Sequence, residues 1–224
     1  MALGMAVWAQ KAVELADEPD YHLLTDNDFA RVFLVEIPAR SATQLHRHEH
    51  DYLSISLNDS TVYAARAGEM AVMVSHNKGD VQFVFKGFAH VTRNESGQTF
   101  RCIEVELVKP SDNLATFNVA QTYPNTTMPP PTDPNASYST ILDRDTFKAQ
   151  QMQLLAGNAL PVSTSEHEIL LIALNDLQIS DERADGPQAL ELHAGEVMWL
   201  PAGPARKLKN TARQNAQLVL VQFR

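Results

Sequence analysis

The sequence predicts an all-β protein made of two tandem copies of one β-barrel domain, and three observations carry that expectation. Short runs rich in β-branched and aromatic residues recur at near-regular spacing, bounded by Gly, Asn or Ser, with no convincing helix between them. A segment dense in proline interrupts the runs once, between residues 109 and 139. Beyond it the rhythm resumes with the same landmarks at the same spacing, and an internal repeat outweighs local propensity in deciding a fold.

Taken in order, the chain opens on an apolar stretch, Leu3 to Trp8. Val7-Trp8-Ala9 before Gln10 fits the end of a secretory signal with small residues ahead of the cleavage point, yet the stretch is short and lacks a charged leader. An N-terminal helix turn fits equally well, so the compartment, cytoplasm or export, stays open. Residues 1–19 are read as an N-terminal extension, with Asp17-Glu18-Pro19-Asp20 a solvated turn. Arg31–Ile37 is a strand stopped by Pro38, which cannot donate to a ladder. A histidine stretch from Leu45 to Leu57 reads as the next strand, followed by Thr61–Ala65, Met70–Val74, Val81–Phe85 and Phe100–Leu107. Pro110, Pro124, Pro129-Pro130-Pro131 and Pro134 then lie among Thr, Asn and Ser. A loop of this length inside one compact barrel is unusual, which divides the chain into a domain at 20–110, a linker at 111–139 and a domain at 140–224.

Composition narrows the function classes. With 44% hydrophobic and 20% charged residues in 224, the chain can bury a substantial core. A net charge of -9 argues against nucleic acid as a partner, because such a footprint is a basic patch or stripe. No apolar run approaches the ~20 residues that cross a bilayer as a helix, so no membrane partner is expected. Cys102 is the only cysteine, which leaves no intramolecular disulfide and no thiolate metal cluster. The expected partner is a small molecule, bound by a monomer or a homodimer.

The chemistry-bearing residues lie at His46-Arg47-His48. On a strand, residues two apart share a face, so these imidazoles project together, half of a site for a first-row metal. Ser56-Leu57-Asn58-Asp59 is echoed by Ala173-Leu174-Asn175-Asp176. Gly79-x7-Gly87-x2-His90-x3-Asn94 is echoed by Gly195-x5-Pro201-x-Gly203-x2-Arg206-x3-Asn210. These blocks resemble the two motifs of the cupin superfamily, and the duplication resembles a bicupin of two jelly-roll-like barrels. The resemblance implies that His46, His48 and His90 hold one divalent metal, iron, manganese, nickel or zinc, with positions left open to water or substrate. It further implies Lewis-acid or oxygen chemistry, in a metal-dependent oxidoreductase of dioxygenase-like type. Three neutral imidazoles would leave the site dipositive, favouring a small anionic molecule. The alternative is a non-enzymatic binding or sensing cupin.

The sequence departs from the family pattern twice. The family's glutamate should fall at Tyr52 or Leu53, and neither is a carboxylate; the fourth ligand stays open among Tyr52, Asp51, His50 and Glu104. In the second copy the positions matching His46, His48 and His90 are read as Ser163, Ser165 and Arg206, a degenerate motif. Arg206 is expected to pair with Glu166 or Glu168. Aligning the copies sets inward-facing Tyr52, Ser54 and Ser56 against Ile169, Leu171 and Ala173, and Cys102 and Glu104 against Leu218 and Leu220. Unsatisfied buried polar groups cost about 1–3 kcal/mol each. Tyr52, Ser54 and Glu104 are therefore expected to line a substrate pocket in the first barrel, and the second to be packed solid.

Overall fold

The computed structural model describes residues 11–109, 121–123, 136–162, 167–204 and 206–224. The described chain separates into two compact units, one of residues 11–109 with Gln121 and Thr122, the other of Tyr123 and the residues from Ala136 onward. The first unit contains strands β1 (Val13–Glu14), β2 (Tyr21–Asp26), β3 (Ala30–Ile37), β4 (His46–Arg47), β5 (Tyr52–Ser56), β6 (Ser60–Arg66), β7 (Val72–His76), β8 (Val81–Val84), β9 (Ala89–Asn94) and β10 (Phe100–Leu107), with β11 (Gln121–Tyr123) at a sheet edge. The second contains β12 (Ala136–Asp143), β13 (Phe147–Leu154), β14 (Ala159–Val162), β15 (Ile169–Ala173), β16 (Leu177–Arg183), β17 (Gly186–Leu192), β18 (Val197–Leu200), β19 (Arg206–Asn210) and β20 (Ala216–Phe223). A single 3-10 turn, Leu15–Asp17, is the one helical element among the described residues.

Each unit is a pair of sheets that share one core. In the first, β1-β4-β9-β6-β7 and β11-β8-β5-β10-β3-β2 are the two sheet orders; in the second, β14-β19-β16-β17 and β12-β13-β20-β15-β18. The all-β expectation holds, and so does the repeat, down to the pairing register. β10 sets Cys102, Glu104 and Glu106 opposite Ser56, Ser54 and Tyr52. β20 sets Leu218, Leu220 and Gln222 opposite Ala173, Leu171 and Ile169.

The repeated short motifs work as anchors that make both copies close the same way. Asn94 is fully buried, and its Nδ2 donates to the carbonyls of Ile37 (2.9 Å) and Gln98 (2.8 Å). Asn210 donates to Leu154 (3.1 Å) and Gln214 (2.8 Å) in the same arrangement. Asn58 and Asn175 accept from the backbone N–H groups of Arg101 and Gln217. Gly79 and Gly195 take φ of 86° and 93°, a left-handed conformation that L side chains adopt only at a cost, and each donates back to the preceding inner strand.

Four local expectations change. The histidine stretch is not one strand: β4 belongs to one sheet and β5 to the other, and the chain crosses between them at His48–Asp51. The Asp17–Asp20 turn is solvated only in part: Asp17 and Pro19 are exposed, but Glu18 is 2% exposed and accepts the Gln44 N–H at 3.0 Å. Part of the N-terminal extension belongs to the first unit, since Val13 pairs in parallel with His46. Within the proline-rich segment, β11 and the first residues of β12 are strands. The apolar stretch at residues 1–10 lies outside the described residues.

Candidate metal centre

His46 and His90 reach the interior from one sheet, as directly opposed residues of β4 and β9. His48 enters two residues after His46, where the chain leaves that sheet. All three are buried, at 0%, 5% and 2% exposure for His46, His90 and His48. One ring nitrogen from each lies within 4.8 Å of the other two. The ring centroids are 4.4 Å (His46–His90), 5.4 Å (His46–His48) and 5.3 Å (His48–His90) apart.

Burial sets their charge state. Desolvation lowers His46 to about 4 and holds His48 and His90 well below the ordinary imidazole value, helped for His48 by His46 and for His90 by His46, His48 and Arg66. At neutral pH the three rings are uncharged and present lone pairs, the form that binds metal. The carbonyl of Gln44 can only accept, so His46 donates from Nδ1 at 3.0 Å and keeps its Nε2 lone pair facing inward. There Nε2 meets the Tyr21 hydroxyl at 3.3 Å. Both ring nitrogens of His48 and Nδ1 of His90 are buried without a hydrogen-bond partner. Orphaned imidazole nitrogens around a common point are costly in a protein alone and are satisfied by a cation. The donor set fits a first-row divalent metal.

The opposite sheet contributes carboxylates and a phenol. Glu104 Oε2 is 3.7 Å from His48 Nε2, and burial, reinforced by Glu106, pushes its carboxyl up to about 8 against a stabilising bond from Tyr21. Glu106, at 0% exposure, lies with Oε1 3.4 Å from His48 Nδ1 and Oε2 3.2 Å from Arg31 Nη1. Burial raises its carboxyl while Arg31 opposes the rise. Tyr52 stacks on His48, centroids 3.8 Å apart and planes at 15°. Ser54, 6% exposed, gives a hydrogen bond to the buried Cys102.

Of the candidates for a fourth ligand, Tyr52 and Glu104 are beside His48, whereas His50 and Asp51 are half-buried in the crossing turn. Asp51 uses Oδ1 to accept the Lys86 N–H at 2.9 Å. Tyr21, Arg31 and Glu106 also stand around the cluster, without a motif in the sequence to mark them. Glu106 carried a readable signal, since it shares a strand face with Glu104 two residues away. Tyr21 carried none, because only the pairing of β2 with β3 brings it to the histidines.

The second unit has a different interior. Val162 stands opposite Arg206 as His46 stands opposite His90, so Val162, rather than Ser163, takes the place of His46. Ser163, Ser165 and Glu166 lie outside the described residues. Arg206 Nη1 pairs with Asp181 at 3.1 Å, and its Nη2 donates to the Pro201 carbonyl. The expected partner Glu168 instead accepts the Ala202 N–H at 3.2 Å. Asp181 prevails because it is fully buried on β16, the strand paired with β19.

No protein-family model matches the chain, and no curated protein matches it in sequence. Solved structures do match. A glyoxylate-induced protein of Pseudomonas aeruginosa superposes with a TM-score of 0.67 at 14% identity, over 91% of this chain and 79% of that one. A salicylate 1,2-dioxygenase of Pseudaminobacter salicylatoxidans does so with 0.62 at 11% identity, over 88% and 71%. A vicilin of Solanum melongena gives 0.60 at 11% identity, over 87% and 74%. The fold is the cupin fold, in two copies. In this bicupin the three-histidine cluster occurs in the first copy, and neighbours at such low identity establish architecture rather than activity.

Proposed function

We propose that the first cupin unit holds one divalent metal through His46, His48 and His90 and acts on a small anionic molecule as a metal-dependent, dioxygenase-like enzyme. The observation that carries this reading is the cluster of three buried, uncharged imidazoles with a ring nitrogen of each within 4.8 Å of the others. Iron, manganese, nickel and zinc all suit such a donor set. A bound divalent ion supplies Lewis acidity and, when it is iron, redox chemistry towards dioxygen.

The residues around the cluster have distinct tasks in this reading. Neutral imidazoles leave the ion's charge uncompensated, which favours an anion. Tyr52 stacks against His48 and forms an apolar wall with a polar tip, and Ser54 adds a hydroxyl deeper on the same strand face. Burial pushes Glu104 up to about 8 in the metal-free protein, which sets a carboxyl able to exchange a proton with a bound carboxylate beside the cluster. Tyr21, hydrogen-bonded to Glu104, orients that carboxyl.

A structural neighbour supports the substrate class: the salicylate dioxygenase has been captured with gentisate, an aromatic acid. The vicilin, described with different anionic ligands in structurally similar pockets, supports the second reading, binding or sensing without turnover. Iron-loaded protein offered a panel of carboxylates and diketones separates the two. Oxygen uptake with any member supports the enzyme; tight ligand retention without uptake supports the binding module.

A further inference from the structure

Glu106 is an anomaly in a protein interior. It is a carboxylate at 0% exposure, and one of its oxygens, Oε1, has no hydrogen-bond partner. Burying a charge is costly unless other groups hold it. Its Oε2 is held by Arg31 at 3.2 Å, and the backbone N–H groups of Glu49 and His50 bond to the carboxylate. Those two residues directly follow His48 in the turn where the chain crosses between sheets. Oε1 lies 3.4 Å from Nδ1 of His48, itself buried and without a hydrogen-bond partner. The two orphaned atoms are therefore near neighbours, close enough for one to serve the other once the ring turns into hydrogen-bond alignment.

The second unit supplies an independent observation. Its pairing places Gln222 where Glu106 stands and Lys148 where Arg31 stands. The unit with Val162 and Arg206 in the histidine positions has also exchanged the carboxylate for a neutral amide. The charge at position 106 thus accompanies the histidines and not the scaffold, which both units share.

We infer that Glu106 is a positioning residue for the metal centre. Clamped by Arg31 and the Glu49–His50 turn, it accepts the Nδ1 proton of His48 and so commits Nε2 of that ring to the metal. The inference rests on the three-histidine reading above. Carboxylates that fix a ligating imidazole in this way strengthen metal affinity by about 10–100-fold. His46 is fixed by the Gln44 carbonyl instead, so the two neighbouring ligands are oriented by different groups.

The test uses full-length protein with Zn2+ as probe, the dissociation constant being measured for wild type, Glu106→Gln and His90→Ala. Glutamine occupies the matching place in the second unit, so Glu106→Gln is expected to fold. Its Zn2+ affinity should fall by about 10–100-fold while His90→Ala falls to background. In parallel, 15N shifts of the imidazoles in zinc-loaded wild type should show His48 protonated at Nδ1, a readout that a merely structural carboxylate would not govern. Equal affinity in wild type and Glu106→Gln overturns the inference and leaves the metal site standing. Protonation of His48 at Nε2 overturns it without any variant. Absence of Zn2+ binding by wild type overturns both.

Discussion

The two units are built on one scaffold and filled with opposite contents. Along the facing strands, Tyr52, Ser54, Ser56, Cys102, Glu104 and Glu106 of the first correspond to Ile169, Leu171, Ala173, Leu218, Leu220 and Gln222 of the second. Leu171, Leu218 and Leu220 join a core cluster that runs from Ala136 to both sheets. In the first unit Phe33, Val35 and Ile37 belong to an apolar cluster, and histidines and carboxylates are buried as well. In the second unit the same scaffold closes with apolar residues at these strand positions, its buried charges among the described residues being Arg206 and Asp181, which pair with each other. The polar centre of the first is therefore a cost in stability that the fold does not require, and a cost of that kind points to function.

The comparison breaks most sharply at the histidines. His46→Ala or His90→Ala should reduce bound metal to background by elemental analysis, whereas His193→Ala, at an exposed position, should leave it unchanged; retention in the His90 variant would refute the site. In the second unit, Arg206→Ala leaves Asp181 buried without one of its two arginines, and denaturant unfolding should show a loss of up to about 3–5 kcal/mol. Leu171→Ala in the second unit should cost about 2–5 kcal/mol, against less than about 1 kcal/mol for Ser54→Ala in the first.

Acidification should distinguish the interiors as well. His46 has a folded value of about 4 against 6.5 in the unfolded chain, so below pH 6.5 only the unfolded state takes up the proton. Stability from this group is complete above pH 6.5 and is lost as pH falls towards 4. In chelator-treated protein, His46→Leu should therefore gain on wild type over that window, by on the order of 3 kcal/mol, in urea unfolding at stepped pH. The smallest contrast tests the shared scaffold: Asn94→Ala frees the carbonyls of Ile37, Pro38 and Gln98, Asn210→Ala those of Leu154 and Gln214, and their losses should agree to within about 1 kcal/mol. A large disparity would mean that the anchors are not equivalent.

Much of this was open to a reader of the chain alone. Repeated Gly and Asn spacings announced the duplication because backbone angles and buried anchors demand those residue types at fixed points. His46, His48 and His90 stood out because a strand's two-residue period and the Gly79–Asn94 block tie them to one face. The exchange of Ser54 and Glu104 for Leu171 and Leu220 also followed from aligning the halves. Tertiary structure alone decided the partners. That Tyr21 meets His46, that Glu106 faces His48, that Asp181 claims Arg206, and that Val162 replaces His46 all depend on strand register and sheet crossing. Those are non-local pairings, from 25 positions apart for Tyr21 and His46 upward, and a linear pattern specifies which face a side chain occupies but not what waits across from it.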